Sequence, residues 1–242
     1  FGGYVSLPPL LACRIGRIPV VIHEQNAVAG RVTRLAARWG AAVASGWRAC
    51  DGVPSFLPVG IPVRPPERLS PSRARERMAL ELPEGWRVVG VAGGSLGSRD
   101  LVERALAAAA FFERKGDDVV FLFLGDPPGP DLPPNVRFVG RQWDMNPFYS
   151  LCDVLICRAG GSTLAEALSW GIPAVVVPWE RAAEGHQERN ARCFEEAGGG
   201  IAWRESGGEP LESPLERLLE RGRGAADGAP DACFALRALL PL

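Results

Sequence analysis

The stretch Cys157–Pro178, CRAGGSTLAEALSWGIPAVVVP, decides how the chain is read. Val154-Leu155-Ile156, just before it, is the β-branched, apolar run of a parallel strand buried on both faces. Gly160-Gly161-Ser162-Thr163 makes a turn of small residues. Leu164 to Trp170 continues with helical spacing until Gly171 and Pro173 stop it, and Ala174 to Val177 forms a second strand. The unit is β–turn–α–β, and its turn opens a helix. Backbone N–H groups there lack partners at the positive end of the helix dipole, which suits a phosphate. Missing side chains at Gly160 and Gly161 would let a ligand approach the backbone. Glu166, three residues after Thr163, has two open readings. It closes a capping box on the Thr163 N–H, or it reaches a ribose diol beside the phosphate. The two roles compete for the same oxygens.

Downstream of residue 86 the pattern repeats. Arg87 to Ala92 is a strand, Gly93-Gly94-Ser95-Leu96-Gly97-Ser98 a second small-residue turn, and Leu101 to Ala109 a helix with an apolar face. Two such turns allow one diphosphate to sit between them. There is no GKS or GKT, so neither is a Walker A loop. Strands follow at Val119–Leu124, Val136–Val139 and Ile201–Trp203. Helices are expected at Asp144–Leu151, from His186-Gln187 to Ala197, at Leu215–Leu219 and at Ala232–Leu240. Upstream, Ile18 to Ile22 reads as a buried strand, and His23-Glu24-Gln25-Asn26 as a polar loop at its carboxyl end, where open parallel sheets bind ligands. The plainer reading of Asn26 is a cap on the next helix, Ala29–Trp39. Ala41–Ala44 and Ser55–Val59 are weaker strands. Pro62, Pro65 and Pro66 then form a stiff connector with Arg64 at its start. Alternating strands and helices give an α/β fold with parallel sheets, divided at this connector.

Composition excludes several classes. The chain is 47% hydrophobic with net charge −1, so no basic surplus points to nucleic acid. Its six cysteines form no CxxC pair and no zinc-type spacing with histidine, as expected of free thiols. No apolar run approaches the ~18–20 residues of a membrane span. The sequence starts at Phe1, directly before Gly2-Gly3, without Met, and further upstream residues are expected.

GGYVS at residues 2–6, HEQNAVAG at 23–30, GIPVR at 60–64, GGSLG at 93–97, CRAGGSTLAE at 157–166 and HQERNA at 186–191 occur in one order. Together they resemble the MurG family of bacterial peptidoglycan N-acetylglucosaminyltransferases, within glycosyltransferase family 28. The resemblance spans about residues 1–204. It implies a GT-B fold of two Rossmann-like parallel-sheet lobes, the N-terminal one incomplete. Residues 1–63 would be the remainder of the acceptor and membrane lobe, 64–224 the UDP-sugar donor lobe and 225–242 a helical tail. The implied enzyme is an inverting hexosyltransferase without an essential metal or cofactor. It moves N-acetylglucosamine from UDP-GlcNAc to lipid I, the undecaprenyl-diphosphate-linked muramyl pentapeptide, making lipid II. It works as a peripheral protein on the cytoplasmic face of the bacterial inner membrane.

Residue by residue, Asn26, Arg64, Gly94, Ser95, Gly161, Ser162, Thr163 and Gln187 match donor-contacting positions. Gln142 falls where the family's backbone meets uracil. Glu166 matches a ribose-binding carboxylate, which favours its functional reading. Gly2 and Gly3 match a turn associated with the acceptor diphosphate. The family's candidate general base belongs to an N-terminal GGTGGH loop that this sequence lacks, so no catalytic residue is assigned, and this chain alone is expected to be inactive. His23 has the right type, but it lies in a block the family uses for cleft structure. The alternatives are a non-catalytic UDP-sugar-binding half of a split GT-B enzyme, and a GT-B transferase acting on another lipid.

Overall fold

The computed structural model describes residues 3–93, 99–179 and 185–223. The first lobe holds a three-stranded parallel sheet, β1 (Val21–Glu24), β2 (Ala42–Ser45) and β3 (Leu57–Pro58), in sequential order. Helix α1 (Leu7–Ile15) precedes it, and α2 (Arg31–Arg38) crosses from β1 to β2. The proline connector leads into α3 (Pro71–Arg77), where the Ser70 hydroxyl caps the helix by accepting from Arg73 N–H.

The second lobe runs β4 (Arg87–Ala92), α4 (Arg99–Lys115), β5 (Val119–Phe123), β6 (Val136–Phe138), α5 (Asn146–Leu151), β7 (Val154–Cys157), α6 (Gly161–Trp170), β8 (Ala174–Val176), α7 (His186–Glu196), β9 (Gly200–Ala202) and α8 (Glu212–Arg221). Its six strands are all parallel, in the order β6-β5-β4-β7-β8-β9. The order reverses between β4 and β7. A crevice opens at such a switch point, beyond the carboxyl ends of the two strands. The two small-residue turns of the sequence follow those two strands.

Strand alternation explains why both faces are covered. Val88, Val120, Leu122, Leu155 and Cys157 face one core with α5, α6 and α7, whereas Val89, Val91, Phe121, Phe123 and Ile156 face another with α4 and α8. Gly90 interrupts the first set. A Cβ there would lie 2.4 Å from Cys152 Sγ and 2.9 Å from Phe148 Cζ, so its absence lets α5 lie against the sheet. Gly90→Ala is expected to cost about 2 kcal/mol through overpacking. That is a fall of roughly 4–8 °C in melting temperature, read by thermal denaturation beside the wild type.

Several local expectations are corrected. The first strand begins at Val21, not Ile18, and takes in His23 and Glu24, both buried. Ile18 is exposed. A carboxylate can occupy a buried strand end when donors surround it, and Glu24 has four contacts from them, described below. Helix α2 is capped at Gly30, without an Asn26 side-chain cap. The third strand shrinks to two residues, Leu57 and Pro58, since Pro54 and Pro58 cannot donate to a ladder. The expected helix at Ala232–Leu240, the tail 225–242, Gly2, Gly94 and Ser95 lie outside the described residues.

Candidate functional site

Helix α6 begins at Gly161 and is capped by Gly160, which has no side chain to accept from the first N–H groups. Its first internal bond runs from Leu164 N–H to the Gly160 carbonyl. The helix closes on Gly171 at φ 63°, a left-handed conformation that glycine adopts without strain. An uncapped amino terminus at a switch point concentrates N–H groups and positive potential in the crevice.

The two glycines of the turn have separate uses. Gly160 is exposed, and a Cβ there would meet only Thr163 Oγ1, at 4.0 Å. Gly161 is buried, and its Cβ would lie 2.7 Å from the Gln25 carbonyl oxygen and 3.3 Å from Ile61 Cδ1. Approach to a ligand therefore falls to Gly160, while the bare Cα of Gly161 admits the first lobe. Ser162 is exposed and Thr163 half-buried.

Glu166 is the sixth residue of α6, too far in for a capping box, which needs the third. Its Oε2 instead accepts from the Tyr149 hydroxyl at 2.7 Å. Tyr149 is 2% exposed. Its phenol is held well above the ordinary range, chiefly by burial and then by the adjacent Glu166 charge. Glu166 itself is half-buried and reaches the surface.

The segment after β1 is organised by Glu24. Its Oε1 accepts from the Asn26 N–H at 3.1 Å and from Asn26 Nδ2 at 3.3 Å. Its Oε2 accepts from the Gly30 N–H at 3.1 Å and from Thr33 Oγ1 at 2.6 Å. The carboxylate thus closes onto the N–H of Gly30, the cap residue of α2, at the end where the helix dipole favours negative charge. Next to it, His23 is 7% exposed, and its Nε2 bonds the Gly60 carbonyl at 2.8 Å. Burial lowers its pKa from the ordinary 6.5. This histidine ties the strand to the connector and does not face an open site.

The two lobes meet through Asn190 of α7, which is fully buried. Its Oδ1 accepts from Ala27 N–H at 2.8 Å, and its Nδ2 donates to Asn26 Oδ1 at 3.1 Å and to the Ala159 carbonyl at 3.0 Å. One side chain therefore joins the loop after β1 to the turn before α6. Arg189 Nε pairs with Asp51 at 3.0 Å beside it, and the Trp47 indole N–H donates to the Gln25 carbonyl at 3.0 Å.

The other sequence-derived residues stand on separate elements. Gln142 follows β6 and turns its amide onto the Val139 carbonyl. Gln187, in the first turn of α7, accepts from Trp179 N–H at 2.9 Å, which leaves its amide nitrogen to donate elsewhere. Arg64 is exposed on the connector, and Gly3 lies before a short 3₁₀ turn leading into α1. Among the described residues no hydrogen bond joins Gln142 or Arg64 to Glu166. Sequence reasoning had not singled out Glu24 as a cap, nor Tyr149 or Asn190. The one available signal was polarity in the wrong place: an acid closing an apolar run, and an asparagine inside a helix.

Comparison with known proteins agrees with this arrangement. Residues 88–227 match the glycosyltransferase family 28 C-terminal domain, and residues 1–45 the N-terminal domain of the same family. A curated UDP-N-acetylglucosamine–N-acetylmuramyl-(pentapeptide) pyrophosphoryl-undecaprenol N-acetylglucosamine transferase of Symbiobacterium thermophilum is 38% identical over 90% of this chain and 61% of its own length. The transferase of the same name from Nocardioides sp. is 35% identical over 93% of this chain and 66% of its own length. The chain thus spans slightly under two-thirds of these relatives. The crystal structure of Acinetobacter baumannii MurG superposes with a TM-score of 0.73 at 27% identity, covering 99% of this chain and 71% of that one. The rhamnosyltransferase SpnG shares the fold, with a TM-score of 0.60 at 20% identity over 96% of this chain and 65% of its own. With matching family models on both sides of the connector and GT-B enzymes as structural neighbours, the chain belongs to glycosyltransferase family 28, alongside the MurG proteins.

Proposed function

We propose that the protein serves in transfer of N-acetylglucosamine from UDP-GlcNAc to the C4 hydroxyl of the muramic acid in lipid I, giving lipid II for peptidoglycan. Residues 64–224 act as donor lobe and residues 1–63 as part of the acceptor lobe. The observation that carries this reading is the uncapped amino terminus of α6 at the switch point, with Glu166 reaching the surface behind it. In an inverting transfer the acceptor oxygen attacks the anomeric carbon opposite the diphosphate. The bond from that carbon to UDP breaks, and the hydroxyl proton passes to a base. The leaving diphosphate gains negative charge, which preorganised N–H groups at a helix terminus stabilise without moving.

In this reading Gly161, Ser162 and Thr163 present the diphosphate turn, together with Gly94 and Ser95. Gln142 marks the uracil side, and Glu166 accepts from the ribose. Asn26, Arg64 and the amide nitrogen of Gln187 meet the sugar and its phosphates, and Gly2 and Gly3 the acceptor. The buried, carbonyl-bound His23 is not the base.

Among the described residues no helix is long and apolar enough to cross a membrane. Around α1, Tyr4, Val5, Leu11, Ile15 and Ile18 are exposed, with Arg14 and Arg17 also at the surface. Apolar side chains beside cations suit the interface of an anionic bilayer, in keeping with a peripheral protein on the cytoplasmic face.

Calorimetric titration of the chain with UDP-GlcNAc, UDP-glucose and UDP tests the donor reading. Saturable binding that prefers UDP-GlcNAc is expected. A folded sample that takes up no uridine nucleotide would overturn it.

A further inference from the structure

We propose that Tyr149 is a positioning residue for Glu166. Its hydroxyl holds one carboxylate oxygen so that the other faces a ribose diol, and this sets the preference of the site for ribonucleoside over 2′-deoxyribonucleoside diphosphates. The inference rests on the reading of Glu166 as the ribose-contacting carboxylate.

Glutamate has three side-chain torsions. A free carboxylate at a crevice must be ordered each time a ligand binds, and that ordering weakens affinity. Here one oxygen is already fixed, 2.7 Å from a phenol that cannot swing away. The Tyr149 ring is 2% exposed. It packs 5.6 Å from the Phe148 ring at 66° and 5.6 Å from the Trp170 ring at 42°. Trp170 is the last residue of α6, the helix that also carries Glu166, so ring and carboxylate are referenced to one element. The Tyr149 carbonyl accepts from the Arg223 guanidinium, which anchors the other end of the residue.

A phenol donates one hydrogen bond, whereas a carboxylate offers about four lone-pair sites. The contact therefore uses a fraction of the carboxylate and leaves Oε1 for hydroxyl donors. Burial and the neighbouring charge both hold the phenol in its protonated form. Toward the carboxylate Tyr149 is thus the donor.

The rival account is that a buried hydroxyl simply needs an acceptor. That account predicts a change in stability but none in the choice between nucleotides. The two are separated by titrating the full chain with UDP, 2′-deoxy-UDP and inorganic diphosphate, as wild type, Tyr149→Phe and Glu166→Ala. Phenylalanine keeps the ring and its packing, so the variant retains the core around it.

The wild type should favour UDP over 2′-deoxy-UDP by about ten-fold, the worth of one hydrogen bond to a charged group. Tyr149→Phe should reduce that ratio to about three-fold or less and leave diphosphate affinity unchanged. If Tyr149→Phe keeps the wild-type ratio while Glu166→Ala loses it, the proposal is wrong and the ribose reading stands. Equal weakening of UDP and diphosphate in Tyr149→Phe would also overturn it, as a purely structural effect. If the wild type shows no preference and Glu166→Ala binds as the wild type does, the ribose reading itself fails.

Discussion

Replacing Asn190 with leucine should destabilise the chain by about 3–5 kcal/mol. Leucine matches asparagine in length but offers no polar atom. Three groups then lose their partner at once: the buried Ala27 N–H and Ala159 carbonyl, and the half-buried Asn26 Oδ1. Each stranded group costs ~1–3 kcal/mol, with the lower figure applying where local shifts let water in. For a chain of this size the fall in melting temperature is roughly 6–20 °C. Asn190→Asp is the sharper control. It retains an acceptor for Ala27 but sets a carboxylate against two oxygens, so it should fare no better than leucine. Hydrogen exchange at the Ala27 amide should quicken in both variants. A leucine variant that melts with the wild type would show that the lobes are held by other contacts.

Glu166→Ala should weaken UDP binding about 100-fold. Two ribose hydroxyls donating to one carboxylate form charge-assisted bonds of roughly 1.5–3 kcal/mol each. Losing both costs close to 3 kcal/mol, and each 1.4 kcal/mol is ten-fold in affinity. Part of any effect could be structural, since alanine also strands the Tyr149 hydroxyl. Glu166→Gln removes that ambiguity. Its amide oxygen still accepts from Tyr149, while the charge and one acceptor are gone, so an intermediate loss is expected. Inorganic diphosphate does not reach a ribose contact and should bind all three proteins alike. UDP affinity unchanged by Glu166→Ala would leave the carboxylate a purely structural partner of Tyr149.

The second lobe was legible because parallel strands buried on both faces read as unbroken β-branched runs. Val154-Leu155-Ile156 and Arg87–Ala92 carry that signal and occur as strands within a residue of where it places them. The first lobe was less legible because its strand limits depend on distant partners. Glu24 looked like the start of a loop. Asn26, Gly30 and Thr33, folded back onto it, make its carboxylate tolerable inside β1. The capping-box reading of Glu166 failed for a similar reason. A run of small residues can start a helix at any of several positions, and α6 starts at Gly161, which makes Thr163 its third residue rather than its cap. Asn190 was hidden altogether, since its partner Ala27 is 163 positions away.

The seam between the lobes has a consequence for how such proteins can be recombined. Much of what the first lobe contributes to it is main chain: the Ala27 N–H and the Gln25 carbonyl. Any residue but proline at 27, and any residue at 25, offers the same atoms. The demand for particular side chains falls mainly on the second lobe, on Asn190 to bond and on Gly161 to make room. The second lobe therefore carries most of its own docking code. Exchanging it between family members needs the path of the loop after β1 to be kept, with less constraint on that loop's sequence. One lobe can in this way be inherited as a unit while the opposite lobe diverges.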